Sequence, residues 1–241
     1  MAPSGLVAVG DVLEAEGGQY GGQMATGPAG VVFSWWHDIE GVEWRAGWSV
    51  EQVRRAMREG TAYRVNMDLP GLGPAMLDVE GKPEDEAVAA QHPVALAVGA
   101  DVLAFMRESW NEEERAAAAL LGPHVLRYLK ALCTRLDPAY AMLYTEGEYG
   151  TCTPTTLASG KEALDGDFFV SRRFAVHPPL DAQLAEVTRI TGATLEWETG
   201  TFYSGSGYVL PAAPDRAALR EAWGPVSRTL GQLLTTGDPA G

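Results

Sequence analysis

Residues Pro70-Gly71-Leu72-Gly73-Pro74 constrain this chain more than any other stretch. Proline fixes φ and removes a backbone donor, while glycine adopts the left-handed conformations that tight turns need, so the chain must reverse there. The flanks, 63–69 and 75–79, are dominated by apolar and strand-favouring residues, which predicts an antiparallel hairpin. A helix is predicted just before it. Ser49 is its N-cap, Gln52 completes a capping box, Val50, Val53 and Met57 share a face, and Gly60 is the stop. A helix leading into a hairpin is the order of an α+β protein, not of a repeating βαβ unit.

The remaining signals extend that reading. Leu6, Val7, Val9, Val12 and Leu13 suit one strand, and the glycines of 16–30 predict a flexible loop or wide hairpin after it. Residues 31–36 read as a strand; for 94–106, periodicity does not choose between strand and helix. Asn111 followed by Glu112, Glu113 and Glu114 marks a helix start. Gly122-Pro123 is expected to break or kink that helix, and 123–136 to form the next, with Leu129, Leu132 and Cys133 on its apolar stripe. Residues 140–149 and 168–174 read as strands, and Asp181 as the cap of a helix closed by Gly192. Residues 195–203 and 207–210 suggest a hairpin, and a final helix starts near Asp215 with a kink at Gly224-Pro225. The expected fold is α+β: a mixed or antiparallel sheet with four to six helices in a single compact domain over 1–241, with a candidate seam at 81–93.

Composition narrows the function classes. Hydrophobic residues make up 46 % and charged residues 21 % of the 241 residues, the balance of a globular protein. No apolar run reaches the ~18–20 residues of a membrane span. The first basic residue is Arg45, which argues against a secretory signal. Two cysteines, Cys133 and Cys152, are too few for a disulfide framework or a four-thiolate metal site, so a cytoplasmic home is expected. Thirty-two acidic against eighteen basic residues give a net charge of −14. Such a field repels phosphate backbones and attracts a basic partner, so a nucleic-acid role is disfavoured.

Candidate sites are few. Trp35, Trp36, Trp44 and Trp48 crowd into 33–48, and tryptophan offers large contact area with one donor. Glu146-Gly147-Glu148 and Glu196-Trp197-Glu198 each space two carboxylates for one face of a strand. Paired acids suit glycosidic hydrolysis or a hard cation, and equally a polar sheet face whose aromatic neighbour points inward. His37, His92, His124 and His177 lack metal-ligand spacing, and no Gly-x-Ser-x-Gly elbow is present. Arg172-Arg173, placed on a strand, would send two guanidiniums to opposite faces and offer a partner to the acids. The leading expectation is a non-enzymatic acidic binding protein of immunity or toxin-neutralising type, without metal or cofactor. It would engage a basic protein through Trp35, Trp36, Trp44, Glu196 and Glu198. The alternative is a hydrolase-type enzyme using Glu146, Glu148, Glu196 or Glu198.

Overall fold

The computed structural model describes residues 3–26, 43–45, 47–79, 94–99, 111–143, 152–164, 166–205 and 215–237. The chain is α+β. Seven helices lie among the described residues, beyond the four to six expected, because two are short, of six and four residues. Residue contacts gather the chain into two compact units, Met1–Gly99 and Ala100–Gly241. The candidate seam at 81–93 and the strand expected at 31–36 lie outside the described residues.

The first unit is a five-stranded antiparallel sheet with two helices. Its elements are α1 (Pro3–Ala15), β1 (Gln19–Thr26), β2 (Glu43–Arg45), α2 (Val50–Arg58), β3 (Ala62–Leu69), β4 (Gly73–Val79) and β5 (Val94–Val98), and the strand order is β2-β1-β3-β4-β5. The predicted hairpin is β3–β4, in register from Arg64 opposite Asp78 to Leu69 opposite Gly73. The ambiguous run at Val94 is a strand because β4 offers it a ladder, with Leu77 opposite Leu96. Alternation puts Tyr63, Val65, Met67 and Leu69 on one face of β3, and all four are buried. α2 forms as expected: Ser49 and Gln52 make the reciprocal capping box, and Val53, Ala56 and Met57 are buried. Val50, in the first turn, lies on the same side of the helix and is 44 % exposed.

Two sequence expectations fail in this unit. Residues 6–13 form the helix α1 instead of a strand, because Leu6, Val9 and Leu13 recur at helical spacing and all are buried. The glycine-rich segment is the strand β1, paired on both sides, and not a flexible loop over Gln19–Thr26. Its glycines permit close approach. A Cβ on Gly18 would lie 2.8 Å from Leu69 Cδ2 and 2.9 Å from the Leu13 carbonyl. Gly22 has φ +69° at an irregularity in the β1–β3 register, and its carbonyl accepts a hydrogen bond from Trp48 N at 3.2 Å.

The second unit is a four-stranded antiparallel sheet covered on both faces. It comprises α3 (Glu112–Leu136), β6 (Tyr140–Leu143), α4 (Pro154–Ser159), β7 (Asp167–Ser171), α5 (Arg172–Ala175), α6 (Pro178–Thr191), β8 (Thr194–Glu196), β9 (Gly200–Ser204) and α7 (Arg216–Thr236), with strand order β6-β7-β9-β8. Consecutive residues of β7 serve opposite cores. Phe168 and Val170 pack with Leu157, Leu184, Val187, Trp223, Val226 and Leu230 from α4, α6 and α7. Phe169 packs with Phe202, Trp197 and the α3 residues Leu129 and Cys133. A strand buried on both faces reads as a continuous apolar run, which is why 168–170 shows no alternation.

Three boundaries differ from expectation. α3 continues through Gly122-Pro123 because Pro123 sits on the exposed side, where the carbonyl it deprives of a donor can meet water, while Ala118, Gly122, Leu129 and Cys133 keep an unbroken buried stripe. The strand expected over 168–174 ends at Ser171, whose hydroxyl donates to Asp137 Oδ1 at 2.6 Å; Arg172 N then donates to the Thr199 carbonyl at 2.7 Å and the chain turns into α5. The N-cap of α6 is His177 with Pro178 at its first position, and Asp181 lies in the first turn. α7 starts after Asp215, whose carboxylate accepts from Ala217 N and Ala218 N, and it too passes through its proline, Pro225.

Candidate functional site

Among the described residues, the sequence candidates gather at the β8–β9 turn. β8 ends at Glu196, so Glu198 lies beyond the strand and not on one strand face with it. Both carboxylates are nonetheless exposed, and the indole between them points inward. Trp197 is 5 % exposed and stacks between Phe169 (centroids 5.6 Å apart, planes 20°) and Phe202 (5.3 Å, 10°). Such aromatic contacts add about 0.5–1.5 kcal/mol beyond area burial, so the ring column anchors the turn that carries the acids. Glu196 Oε1 accepts from Thr201 Oγ1 at 2.8 Å, across the pair that sets Glu196 opposite Thr201.

The arginine couplet braces this turn and the end of α3, one residue each, through carbonyls. Both residues lie on α5 and not on a strand, so they do not alternate across a sheet. Arg172 Nη2 donates to the Trp197 carbonyl at 3.1 Å. Arg173 Nη2 donates to the Asp137 carbonyl at 3.0 Å, and its Nε lies 3.6 Å from Asp137 Oδ2. Asp137 is the αL cap of α3, at φ 42°. Thr199 Oγ1 donates to the Cys133 carbonyl at 3.0 Å, so the turn is also tied to the last turn of α3.

The other candidates are dispersed. Trp44 lies on β2, opposite Ala25 of β1. Trp35, Trp36, Glu146 and Glu148 fall outside the described residues. Trp48 lines a shallow groove of about 250 Å³ with Gln52, Arg55, Ala56, Glu59 and Thr61. Cys133 and Cys152 are buried and form no disulfide. Cys152 is therefore core; its Sγ approaches the Ala163 carbonyl at 3.6 Å, and the Tyr140 hydroxyl donates to the Cys152 carbonyl. Burial, with the Asp137 carboxylate second, pushes the Cys133 thiol far up, which suits packing and not nucleophilic attack.

Sequence reasoning missed two buried polar supports. In the first unit Arg64 and Asp78 are both buried, with Arg64 Nε and Nη2 donating to Asp78 Oδ2 at 2.9 and 2.5 Å. In the second, Asp167 Oδ1 accepts from Gly205 N at 2.8 Å and from Ser204 Oγ at 3.3 Å, fastening the end of β9. The first pair was findable as opposite charges on facing hairpin positions; Asp167 carries no such local signal. Among the described residues, no group of three or more His, Cys, Asp or Glu could hold a metal ion, and no helix is long and apolar enough to cross a membrane. Comparison with protein families, with curated proteins and with solved structures finds no match for this chain.

Proposed function

We propose that this chain is a non-enzymatic acidic binding protein that engages a basic protein in the cytoplasm, in the manner of an immunity or toxin-neutralising protein. The observation that carries the reading is the β8–β9 turn. Glu196 and Glu198 face solvent on a backbone anchored by Trp197. Enzymes gather acids into clefts, whereas charge that steers a partner is spread over exposed surface. The charge supports the same reading, since acidic residues outnumber basic ones 14 to 6 over residues 1–99 and 18 to 12 over 100–241. Trp35, Trp36 and Trp44 are the proposed aromatic anchors.

The test is capture of a basic partner by the intact protein, followed by association and dissociation kinetics. Rising salt slows association, and Glu196→Gln or Glu198→Gln lowers the on-rate slightly while leaving dissociation unchanged. Trp35→Ala or Trp36→Ala costs about 2 kcal/mol or more, through faster dissociation. A partner whose affinity ignores both salt and these tryptophans overturns the reading. So does a hydrolytic turnover that Glu146→Gln, Glu148→Gln, Glu196→Gln or Glu198→Gln abolishes.

A further inference from the structure

We infer that the outward face of α3 is a separate docking surface, shaped for an acidic segment of another protein that also carries an apolar anchor. In a chain of net charge −14, the 22 residues 115–136 contain neither Asp nor Glu, yet hold Arg115, His124, Arg127, Lys130 and Arg135. At about 100° per residue, the buried stripe of Ala118, Gly122, Tyr128, Leu129 and Cys133 leaves Leu120 and Arg127 on the opposite side, with Pro123, Lys130 and Arg135 on its flanks, and all five are exposed. Leu120 is 73 % exposed, and the Arg127 guanidinium lies over the Tyr128 ring at 4.5 Å from its centroid.

Two ordinary explanations fall short. The helix macrodipole favours cations within the last turn, which accounts for Arg135 but not for Lys130 or Arg127 further back. Solubility needs no cations in a chain already this acidic. The charges choose the partner, because beyond a Debye length of about 8 Å the net negative field is screened and the local basic face dominates at contact. Leu120 chooses between anionic partners. A phosphate backbone has no use for an exposed leucine, whereas an acidic protein segment can bury an apolar side chain against it.

The probe is a fluorescein-labelled peptide of alternating Glu and Leu blocks, titrated with the full chain by anisotropy at low salt. A Lys-for-Glu version of the peptide and a single-stranded oligothymidylate serve as comparison arms. The Glu/Leu peptide binds best, and Arg127→Glu/Lys130→Glu/Arg135→Glu weakens it about tenfold or more. Leu120→Ser weakens it about threefold or more, the loss of one apolar contact. Circular dichroism checks that the triple variant is folded; should it not be, Lys130→Glu alone, at an exposed position, must still weaken binding about threefold. Absence of binding by the wild type, indifference to Lys130→Glu and Leu120→Ser, or tighter binding of either comparison probe overturns the inference.

Discussion

Gly231 sets two general tendencies against each other at a single residue. It lies inside α7, where replacing glycine by alanine ordinarily stabilises by about 1 kcal/mol. Here an added Cβ would stand 2.2 Å from Ala158 N and 2.8 Å from Leu157 C, backbone atoms of α4 that cannot turn aside. Overpacking of that kind costs about 1–3 kcal/mol or more, so Gly231→Ala lowers the melting temperature despite its better helix propensity. A higher melting temperature would show that α4 and α7 can separate slightly at no cost. Tyr20 makes the converse case. Its hydroxyl is buried without a hydrogen-bond partner, so Tyr20→Phe removes an unsatisfied group and leaves stability unchanged or raises it by up to about 1 kcal/mol in a denaturant titration.

Individual elements show what the sequence discloses and what it withholds. Caps and turns are chemical statements about three or four neighbouring residues, so Ser49–Gln52, Asn111–Glu114 and the Pro70–Pro74 reversal were legible. The inward turn of Trp197 between two outward acids was expected from alternation along a strand, and it holds although β8 ends at Glu196. β1 was not legible, because its glycines carry no strand signal; they are explained by Leu69 and Trp48, residues distant in sequence. The end of β7 was hidden likewise, since Ser171 and Arg172 leave the ladder for Asp137 and Thr199. The β3–β4 hairpin tests such non-local bonding. Arg64→Met strands a buried carboxylate and costs about 3–5 kcal/mol, whereas Arg64→Met/Asp78→Leu recovers most of that loss. Urea melts of the two variants and of Asp78→Leu complete the cycle, and a double variant no better than the single would assign the cost to packing alone. On the other sheet, Leu129→Ala, at 7 % exposure beneath the ring column, costs about 2–5 kcal/mol by the same measurement.

At the scale of the whole molecule, stability depends on alkali through buried phenols. Burial raises Tyr20 to about 12, with Asp11 adding to it, and burial also raises Tyr203 to about 12. Each phenol ionises near 10 in the unfolded chain, so the folded state holds its protons more tightly. The resulting stability is fully present below pH about 10 and is lost as pH rises through about 12. Denaturant midpoints measured from pH 8 to 12 fall over that window, and Tyr20→Phe flattens part of the fall. A midpoint independent of pH across the window would mean that both phenols reach water in the native state.

The clamp on Asp137 also bears on the covalent durability of the chain. Asp137 is followed by Pro138, and an Asp–Pro peptide bond is the backbone link most readily severed by mild acid. The aspartyl side-chain carboxylate attacks its own main-chain carbonyl carbon and closes a five-membered anhydride as the C–N bond breaks, and the basic proline nitrogen leaves carrying a proton taken from the acid. In the folded protein that side chain accepts from Ser171 Oγ and lies beside Arg173, and its carbonyl is occupied by the same arginine. Attack requires both partners to let go. Acid treatment therefore cuts the unfolded chain after Asp137 well before it cuts the folded one, so scission at that bond times the release of α3 from the sheet beneath it.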